Sequence, residues 1–159
     1  MTKGVLVSDA TTLIILDRFN GFELLTNLVS EIMVPQAVFD ELTAKPFTPP
    51  SALRVLANPD TPLQKSLETI LDTGESAAIA LAKQQGLRLL IDEKKGRQWA
   101  RQLGVEIIGF VGILLAHVYR HKLSVDQARE HLQAAQSAGM RLSNSVLEAF
   151  ELALLQHNE

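Results

Sequence analysis

The sequence predicts an α/β protein, a three-layer α/β/α sandwich around a central and mostly parallel sheet. Short apolar runs alternate with longer segments of helical periodicity, and strands that alternate with helices pair in parallel. Two of the apolar runs stop on an acid, one at Asp9 and the other at Asp92. Because right-handed crossovers bring the carboxyl ends of parallel strands to one edge, we expect both acids to face one crevice.

The remaining elements follow from apolar periodicity and from glycine, proline and capping residues. Strands are predicted at 4–8, 31–34, 87–91 and 105–108. Helices are predicted at 11–18, 22–29, 36–43, 72–85, 94–103, 110–121, 124–138 and 143–156. Pro35 suits the first turn of the third helix, and Gly86, Gly104 and Gly139 end later ones.

One region cannot be assigned to a regular strand or helix. Residues 45–62 contain five of the six prolines, so we predict an irregular insertion with one helical turn at 52–56. Residues 66–71 fit either a short strand or a helical turn. No internal repeat or low-complexity segment is present.

Composition narrows the class of protein. The chain has 159 residues, ordinary apolar and charged fractions and no cysteine, which excludes a disulfide framework and a thiolate zinc site. No segment resembles a signal peptide or a membrane span, so a cytoplasmic protein without membrane contact is expected. The net charge of −3 argues against bulk attraction to nucleic acid but leaves room for a local basic surface.

Two further acids fit the crevice. Glu75 shares a helix face with Ala78 and Ile79, which points its side chain inward at the mouth of the fold. A capping box with Asp72 explains Glu75 equally well. Glu41 lies at the edge of a buried helix face, a position that by itself is typical of a solvated carboxylate.

Four carboxylates in one cleft repel each other, and this repulsion has to be offset. Two like charges about 4 Å apart repel by roughly 4 kcal/mol at an effective dielectric constant near 20. Such a cluster either retains protons or binds a cation. All the ligands are oxygens, which favours Mg²⁺ or Mn²⁺ over zinc or copper and is typical of sites that act on phosphates.

The chain resembles the PIN-domain superfamily of ribonucleases, and within it the small prokaryotic PIN-like predicted nucleic-acid-binding proteins related to VapC toxins. The order and spacing of several segments carry the resemblance. They are 7–14, 34–42, 74–82, 90–97 and 109–115, with a weaker match at 138–143. The resemblance implies a PIN-like catalytic domain at 1–123 and a C-terminal helical extension at 124–159 packed on the same domain.

The resemblance also implies a metal-dependent endoribonuclease. The family's acidic site maps onto Asp9, Glu41, Glu75 and Asp92. Asp9 is then the central ligand of Mg²⁺ or Mn²⁺, with Glu75 and Asp92 completing the inner or water-mediated shell. Glu41 orients or deprotonates the attacking water. The implied partners are an RNA substrate, a small antitoxin protein and a second copy of the chain in a homodimer.

Supporting residues are expected around these acids. Relatives often place a hydroxyl directly after the first aspartate; Ala10 stands there in this chain, so Thr11 is expected to supply that hydrogen bond. Ser8 and Thr12 are expected to cap or to hydrogen-bond behind the ligands. Glu93 is an additional or substitute ligand. Many relatives carry aspartate where this chain has Glu75.

A basic segment follows Asp92. Lys94, Lys95, Arg97 and Arg101 flank the acid and are predicted to bind RNA phosphates. The alternative is an amphipathic surface helix. Trp99 within it is a stacking platform in the first interpretation and a core residue in the second, which we favour for this side chain.

Other patterns are weaker. His117 and His121 have the spacing of some metal ligands but lack the glutamate of a zincin motif. The main alternative function is a catalytically weak or inactive PIN-like module that binds RNA or protein. A phosphorylated receiver domain lacks support because the acidic pair and late lysine are missing, and Thr11 excludes a haloacid-dehalogenase motif.

Overall fold

The computed structural model describes residues 4–157 and confirms the three-layer α/β/α fold. Its centre is a five-stranded sheet in which every pairing is parallel, with the order β3-β2-β1-β4-β5. The strands are β1 (Gly4–Ser8), β2 (Val29–Pro35), β3 (Leu53–Leu56), β4 (Arg88–Leu90) and β5 (Ile107–Ile108).

Nine helices flank this sheet within residues 4–157. They are α1 (Ala10–Arg18), α2 (Phe22–Thr26), α3 (Gln36–Thr43), α4 (Pro62–Leu67), α5 (Thr73–Gln85), α6 (Lys94–Gln102), α7 (Phe110–Tyr119), α8 (Val125–Ser137) and α9 (Asn144–His157). Helix α5 contacts β1 and β2 and packs against α3, α4 and α6. Its residues 76–82 are all buried, and its many alanines allow this close approach.

The strand order reverses between β1 and β4, and this reversal positions the site. Chain connections leave β1 toward β2 on one side, whereas β4 pairs with the other side of β1. Open parallel sheets bind ligands at the carboxyl ends of strands on either side of such a reversal. Asp9 follows β1 directly, and one residue separates Asp92 from the end of β4. The predicted crevice therefore lies at the point of reversal.

The prediction of a helical turn at 52–56 is wrong. Leu53–Leu56 forms β3, which pairs in parallel with β2 from Ile32↔Leu53 to Pro35↔Leu56. The exposed backbone edge of β2 gains hydrogen bonds from this pairing, and that tertiary stabilisation outweighs the proline-rich context. The prolines flank the strand instead of interrupting it, as suits an edge strand.

Several boundaries also differ from the prediction. Residues 66–71 belong to the end of α4 and the turn after it; this helix begins with Pro62 in its first turn and Thr61 as its cap. Strand β2 begins at Val29 because the preceding helix α2 ends at Thr26. These shifts leave the acid-bearing ends of β1 and β4 unchanged.

The C-terminal helices α8 and α9 pack against α7. Phe150 and Leu154 of α9 are fully buried, and Arg18 of α1 donates a hydrogen bond to the Ala138 carbonyl, 2.8 Å away. Residues after 123 therefore share the core of the domain. Over residues 4–157 no helix combines the length and apolar character needed to cross a bilayer.

Candidate functional site

Asp9 forms the floor of the site. Its side chain is only 2% exposed, and its Oδ1 accepts a 3.4 Å hydrogen bond from the Thr12 backbone as the N-cap of α1. Its backbone N–H bonds to the Leu90 carbonyl, which ties it to the end of β4. The other carboxylate oxygen, Oδ2, is buried and has no hydrogen-bond partner among residues 4–157.

Asp92 lies beside Asp9 and is held by two neighbouring elements. Its Oδ2 accepts a 2.7 Å hydrogen bond from the Thr12 hydroxyl. The Phe110 backbone N–H, at the start of α7, donates to the same carboxylate at 3.1 and 3.3 Å. Asp92 is thus oriented by α1 and α7, and both helices present their positive ends to the site.

Glu75 and Glu41 occupy the rim of the site. Glu75 is half-buried in the first turn of α5, where Asp72 caps the helix by accepting from the Glu75 N–H at 2.7 Å. Asp72 thus makes its half of the predicted capping box, and within residues 4–157 no hydrogen bond from the Asp72 N–H to the Glu75 carboxylate completes it. The exposed Glu41 of α3 approaches α5 so closely that a Cβ added to Gly74 would collide with its Oε1.

A second glycine keeps space beside Asp92. A Cβ on Gly109 would lie 2.7 Å from Asp92 Oδ1 and 3.1 Å from a guanidinium nitrogen of Arg97. This glycine is the N-cap of α7 in an extended conformation, φ −108° and ψ 177°. Glycine is therefore required here for close approach to the carboxylate, and its backbone conformation does not require it.

The charges of these acids are coupled. Burial raises the pKa of Asp9 well above its usual range, and the charges of Asp92 and Glu75 raise it further. Burial raises the pKa of Asp92 as well, although the hydrogen bonds from Thr12 and Phe110 and the charge of Arg97 oppose this. Asp9 thus interacts with two other acids across one crevice, as the sequence predicted for strand ends at one edge.

The pKa values of the two rim acids are raised as well. Burial, followed by the charges of Asp72, Glu93 and Glu41, raises the pKa of Glu75 to about 7. Burial and the charge of Asp72 raise the pKa of Glu41. Burial is the largest cause of all four shifts, and neighbouring acids add to those of Asp9, Glu41 and Glu75, so folding without a cation favours the protonated form of each carboxyl.

The supporting residues lie in part elsewhere than predicted. Thr12 makes the hydroxyl contact to Asp92, whereas the Thr11 side chain is exposed. Ser8 is buried and donates to the Asp9 backbone carbonyl at 2.9 Å instead of to a carboxylate. Glu93 caps α6 by accepting from the Lys95 and Gly96 N–H groups at 3.1 and 2.6 Å.

The basic residues lie on α6 next to the acids. Arg97 is half-buried beside Asp92, whereas Lys94, Lys95 and Arg101 are exposed. Trp99 packs against the hydrophobic core, as favoured from the sequence. The α6 segment therefore presents cations to solvent and its aromatic side chain to the interior.

The two histidines with metal-ligand spacing, for which the sequence disfavours a metal role, do not converge on the acids. His117 is buried in α7 and its Nε2 bonds to the Leu24 carbonyl, which links α7 to α2. His121 follows α7 in a left-handed conformation and contacts the ring of His157. Gly74 and Gly109 are the site residues that the sequence interpretation missed, and Thr12, expected to cap or to hydrogen-bond behind the ligands, takes the place predicted for Thr11. A threonine one helical turn after the first acid was the only local signal for Thr12.

The donor set fits a hard divalent cation. The unpartnered Oδ2 of Asp9 is a buried carboxyl oxygen with no hydrogen-bond donor among residues 4–157, and burial together with the charge of Asp92 raises the pKa of this carboxyl. A hard cation accepts such oxygen ligands. In the same residues, no three acidic or histidine side chains already stand at direct ligand positions. Mg²⁺ retains several waters in such sites, so Glu75 fits ligation through water and Glu41 fits a contact with one of these waters.

The comparisons with known proteins agree with this geometry. A family model described as a PIN domain matches residues 5–155, and so includes the segment after residue 123. Neither the curated proteins nor the solved structures gave a match. The PIN-domain match spans nearly the whole chain and coincides with the parallel sheet and its acidic edge. The chain therefore belongs to the PIN-domain family and has the nuclease-like fold of that family.

Proposed function

We propose that this protein is an endoribonuclease that hydrolyses RNA phosphodiester bonds with Mg²⁺ or Mn²⁺ at the Asp9–Asp92 site. PIN domains are generally nucleases that depend on divalent metals. The observation that carries the proposal for this chain is the buried Oδ2 of Asp9, which lacks a hydrogen-bond partner in residues 4–157 and belongs to a carboxyl whose pKa is raised by burial and by the charges of Asp92 and Glu75.

Each acid has a distinct role in this proposal. Asp9 and Asp92 bind the cation directly, and Thr12 and Phe110 fix the orientation of Asp92. The cation, when bound, acidifies a water and offsets charge on the scissile phosphate. Arg97 favours the ionised form of Asp92 and so keeps it available as a ligand.

The two rim acids, Glu75 and Glu41, contact water and exchange protons in this proposal. Glu75 has a pKa of about 7, which suits a group that completes the ligand shell through water and gains or loses a proton near neutral pH. Glu41 is exposed and orients or deprotonates the attacking water from α3. Glu93 is committed to capping α6, which favours a role as a nearby charge over direct ligation.

The test is cleavage of single-stranded and structured RNA with and without Mn²⁺. Wild-type protein is expected to cut only with the metal, and Asp9→Asn is expected to lose this activity while remaining folded. Asp17→Asn is the matched control, because Asp17 lies at the other end of α1 and carries the same charge. Equal cleavage by the wild type and Asp9→Asn would reject the proposal.

A second function is favoured by one observation. Asp9, Asp72 and Glu93 each cap a helix, so these acids have structural roles that require no catalysis. A PIN-like module that binds RNA or protein without cutting would retain them for this reason. It predicts RNA binding by wild-type protein in Mn²⁺ with no products, whereas the ribonuclease yields products.

The proposal includes protein partners, namely a small antitoxin that neutralises the ribonuclease and a second copy in a homodimer. Leu152 and Leu155 on α9 are 60% and 55% exposed, and Tyr119 beside them donates to the Ala153 carbonyl. We assign this apolar patch to such contacts. Sedimentation of wild type and Leu152→Glu tests the dimer, which the charged variant is expected to dissociate.

A further inference from the structure

A groove of about 500 Å³ runs from the acids between α6 and the loop that leads into α9. Asp92 and Glu93 line it where it meets the site. Its walls also include the polar side chains of Lys94, Arg97, Arg101, Arg141, Ser143 and Ser145. Three of these come from residues after 123, so the C-terminal extension supplies one side of a groove that begins at the proposed catalytic acids.

The basic side chains of this groove have no salt-bridge partner in the part of the chain that the structure describes. Within residues 4–157, Lys94, Arg101 and Arg141 form no ion pair, and Arg97 approaches Asp92 without a direct salt bridge. By contrast, Arg54 pairs with Glu31, and Arg129 pairs with Glu151 and Asp126. Unpaired arginines along a groove are typical of surfaces that bind a phosphate backbone.

The spacing on α6 extends the groove away from the acids. Lys94, Arg97 and Arg101 recur at intervals of three and four residues, so they lie along one face of the helix. Arg97 and Arg101 are separated by about 6 Å along the helix axis, given a rise of about 1.5 Å per residue. A polyanion leaving the acids therefore meets one cation after another.

The facing wall is held in place. Arg141 lies between the buried Met140, whose N–H bonds to the Ala135 carbonyl, and Leu142, which packs against the core. The Ser143 hydroxyl lies 3.0 Å from that of Ser145 and accepts from the Val146 N–H at 3.3 Å. Arg141 itself is exposed and presents its side chain from a fixed backbone, which lowers the entropic cost of binding.

We propose that the groove between α6 and the Arg141–Ser145 loop binds the phosphate backbone of single-stranded RNA adjacent to the cleavage position. Arg101 and Arg141 contact phosphates from opposite walls, and the hydroxyls of Ser143 and Ser145 add polar contacts at the lip. The C-terminal extension is thus part of the substrate site. This inference rests on the proposed function only in its choice of RNA and of the cut position.

The test measures binding of a fluorescent single-stranded RNA oligonucleotide in the Asp9→Asn background, where RNA stays intact. Removing one phosphate-binding cation lowers the dependence of log affinity on log salt by about 0.7 for single strands, or about fivefold in affinity at about 0.1 M salt. Arg101→Gln and Arg141→Gln are each expected to show both changes. Arg54→Gln, on the distant edge strand β3, is the control with the same charge change.

The outcomes separate the inference from the proposed function. If Arg141→Gln and Arg101→Gln bind RNA like Arg54→Gln, with the same salt dependence, the groove assignment is wrong even if the wild type cleaves RNA. If both variants lose affinity while the wild type with Mn²⁺ never cleaves, the groove stands and the ribonuclease proposal fails. Unchanged melting temperatures establish that the variants are folded.

Discussion

At the scale of single residues, Thr12 links the two acids that the fold brings together. Its backbone N–H donates to Asp9 and its hydroxyl donates to Asp92, so one residue orients carboxylates from two strands. Such hydrogen bonds behind metal ligands typically contribute tenfold or more to metal affinity. Thr12 is therefore a positioning residue for both carboxylates.

This contact gives the first prediction. Thr12→Val is expected to weaken Mn²⁺ binding by about tenfold or more, because Asp92 loses its shortest hydrogen bond. Titration calorimetry measures the change. Thr11→Val is the matched control, since Thr11 is exposed and precedes Thr12 on the same helix turn. Equal losses in the two variants would contradict the role given to Thr12.

The sequence identified the acids but favoured Thr11 over Thr12 as the hydroxyl that supports them. Asp9 and Asp92 are recognisable because each follows a short apolar run that predicts a buried strand. The choice between Thr11 and Thr12 depends on the rotation of α1 against the sheet, which Asp9 sets by capping the helix. Neighbouring positions on a helix point about 100° apart, so only one of the two threonines can face Asp92.

At the scale of elements, the contact between α3 and α5 sets the position of Glu41. Gly74 in the first turn of α5 leaves room for the Glu41 carboxylate. Alanine there would improve helix propensity by up to about 1 kcal/mol. The same methyl group would displace the carboxylate, which can swing outward because Glu41 is exposed.

Stability and activity are therefore expected to change in opposite senses in Gly74→Ala. The free energy of unfolding should stay level or rise by up to about 1 kcal/mol, while RNA cleavage falls as far as in Glu41→Gln. Denaturant unfolding and the Mn²⁺-dependent cleavage assay measure the two effects. The double variant should cleave no more slowly than Glu41→Gln alone; a further loss would show that Gly74 acts by another route.

Element prediction failed where tertiary pairing decided the structure. Strand β3 is short and lies among prolines, and only its pairing with β2 makes it a strand. No local propensity encodes that partner. The helices and the strands that carry acids were predictable because their apolar periodicity and capping residues are local signals.

At the scale of the whole molecule, the acidic cluster makes stability depend on pH. The pKa values of Asp9, Glu41, Glu75 and Asp92 are all raised by folding. A carboxyl with a raised pKa holds its proton more tightly when folded, so unfolding releases protons between its ordinary pKa near 4 and its folded value. Stability is therefore expected to fall as pH rises through this window, which for Glu75 extends to about 7.

This gives a prediction for the metal-free protein. In EDTA, the melting temperature is expected to be lower at about pH 8 than at about pH 5.5, and Glu75→Gln should reduce the difference by removing one contributor. Calorimetric scans at both pH values test this. A higher melting temperature at alkaline pH would show that the acids are not held at raised pKa values.

Cation binding should reverse this destabilisation. Mn²⁺ at millimolar concentration is expected to raise the melting temperature more at about pH 8 than at about pH 5.5, because protons compete for the same oxygens. The same scans with Mn²⁺ measure the shift. An equal shift at both pH values, or none, would argue against carboxylate ligation.

The convergence of distant acids was predictable at this scale because it follows from parallel topology alone. The contribution of residues after 123 to the groove was not, since Arg141 reaches it through the anchoring of the α8–α9 loop by Met140 and Leu142. That anchoring depends on side-chain packing, which the helical periodicity of the segment does not reveal.

The central claim is that Asp9 and Asp92 bind one divalent cation at the reversal between β1 and β4. Titration calorimetry of metal-free protein with Mn²⁺ tests it most directly. The account predicts a single site that Asp9→Asn and Asp92→Asn abolish and Asp17→Asn leaves intact. Mn²⁺ binding that survives in Asp9→Asn, or wild-type protein that binds no Mn²⁺, would contradict it.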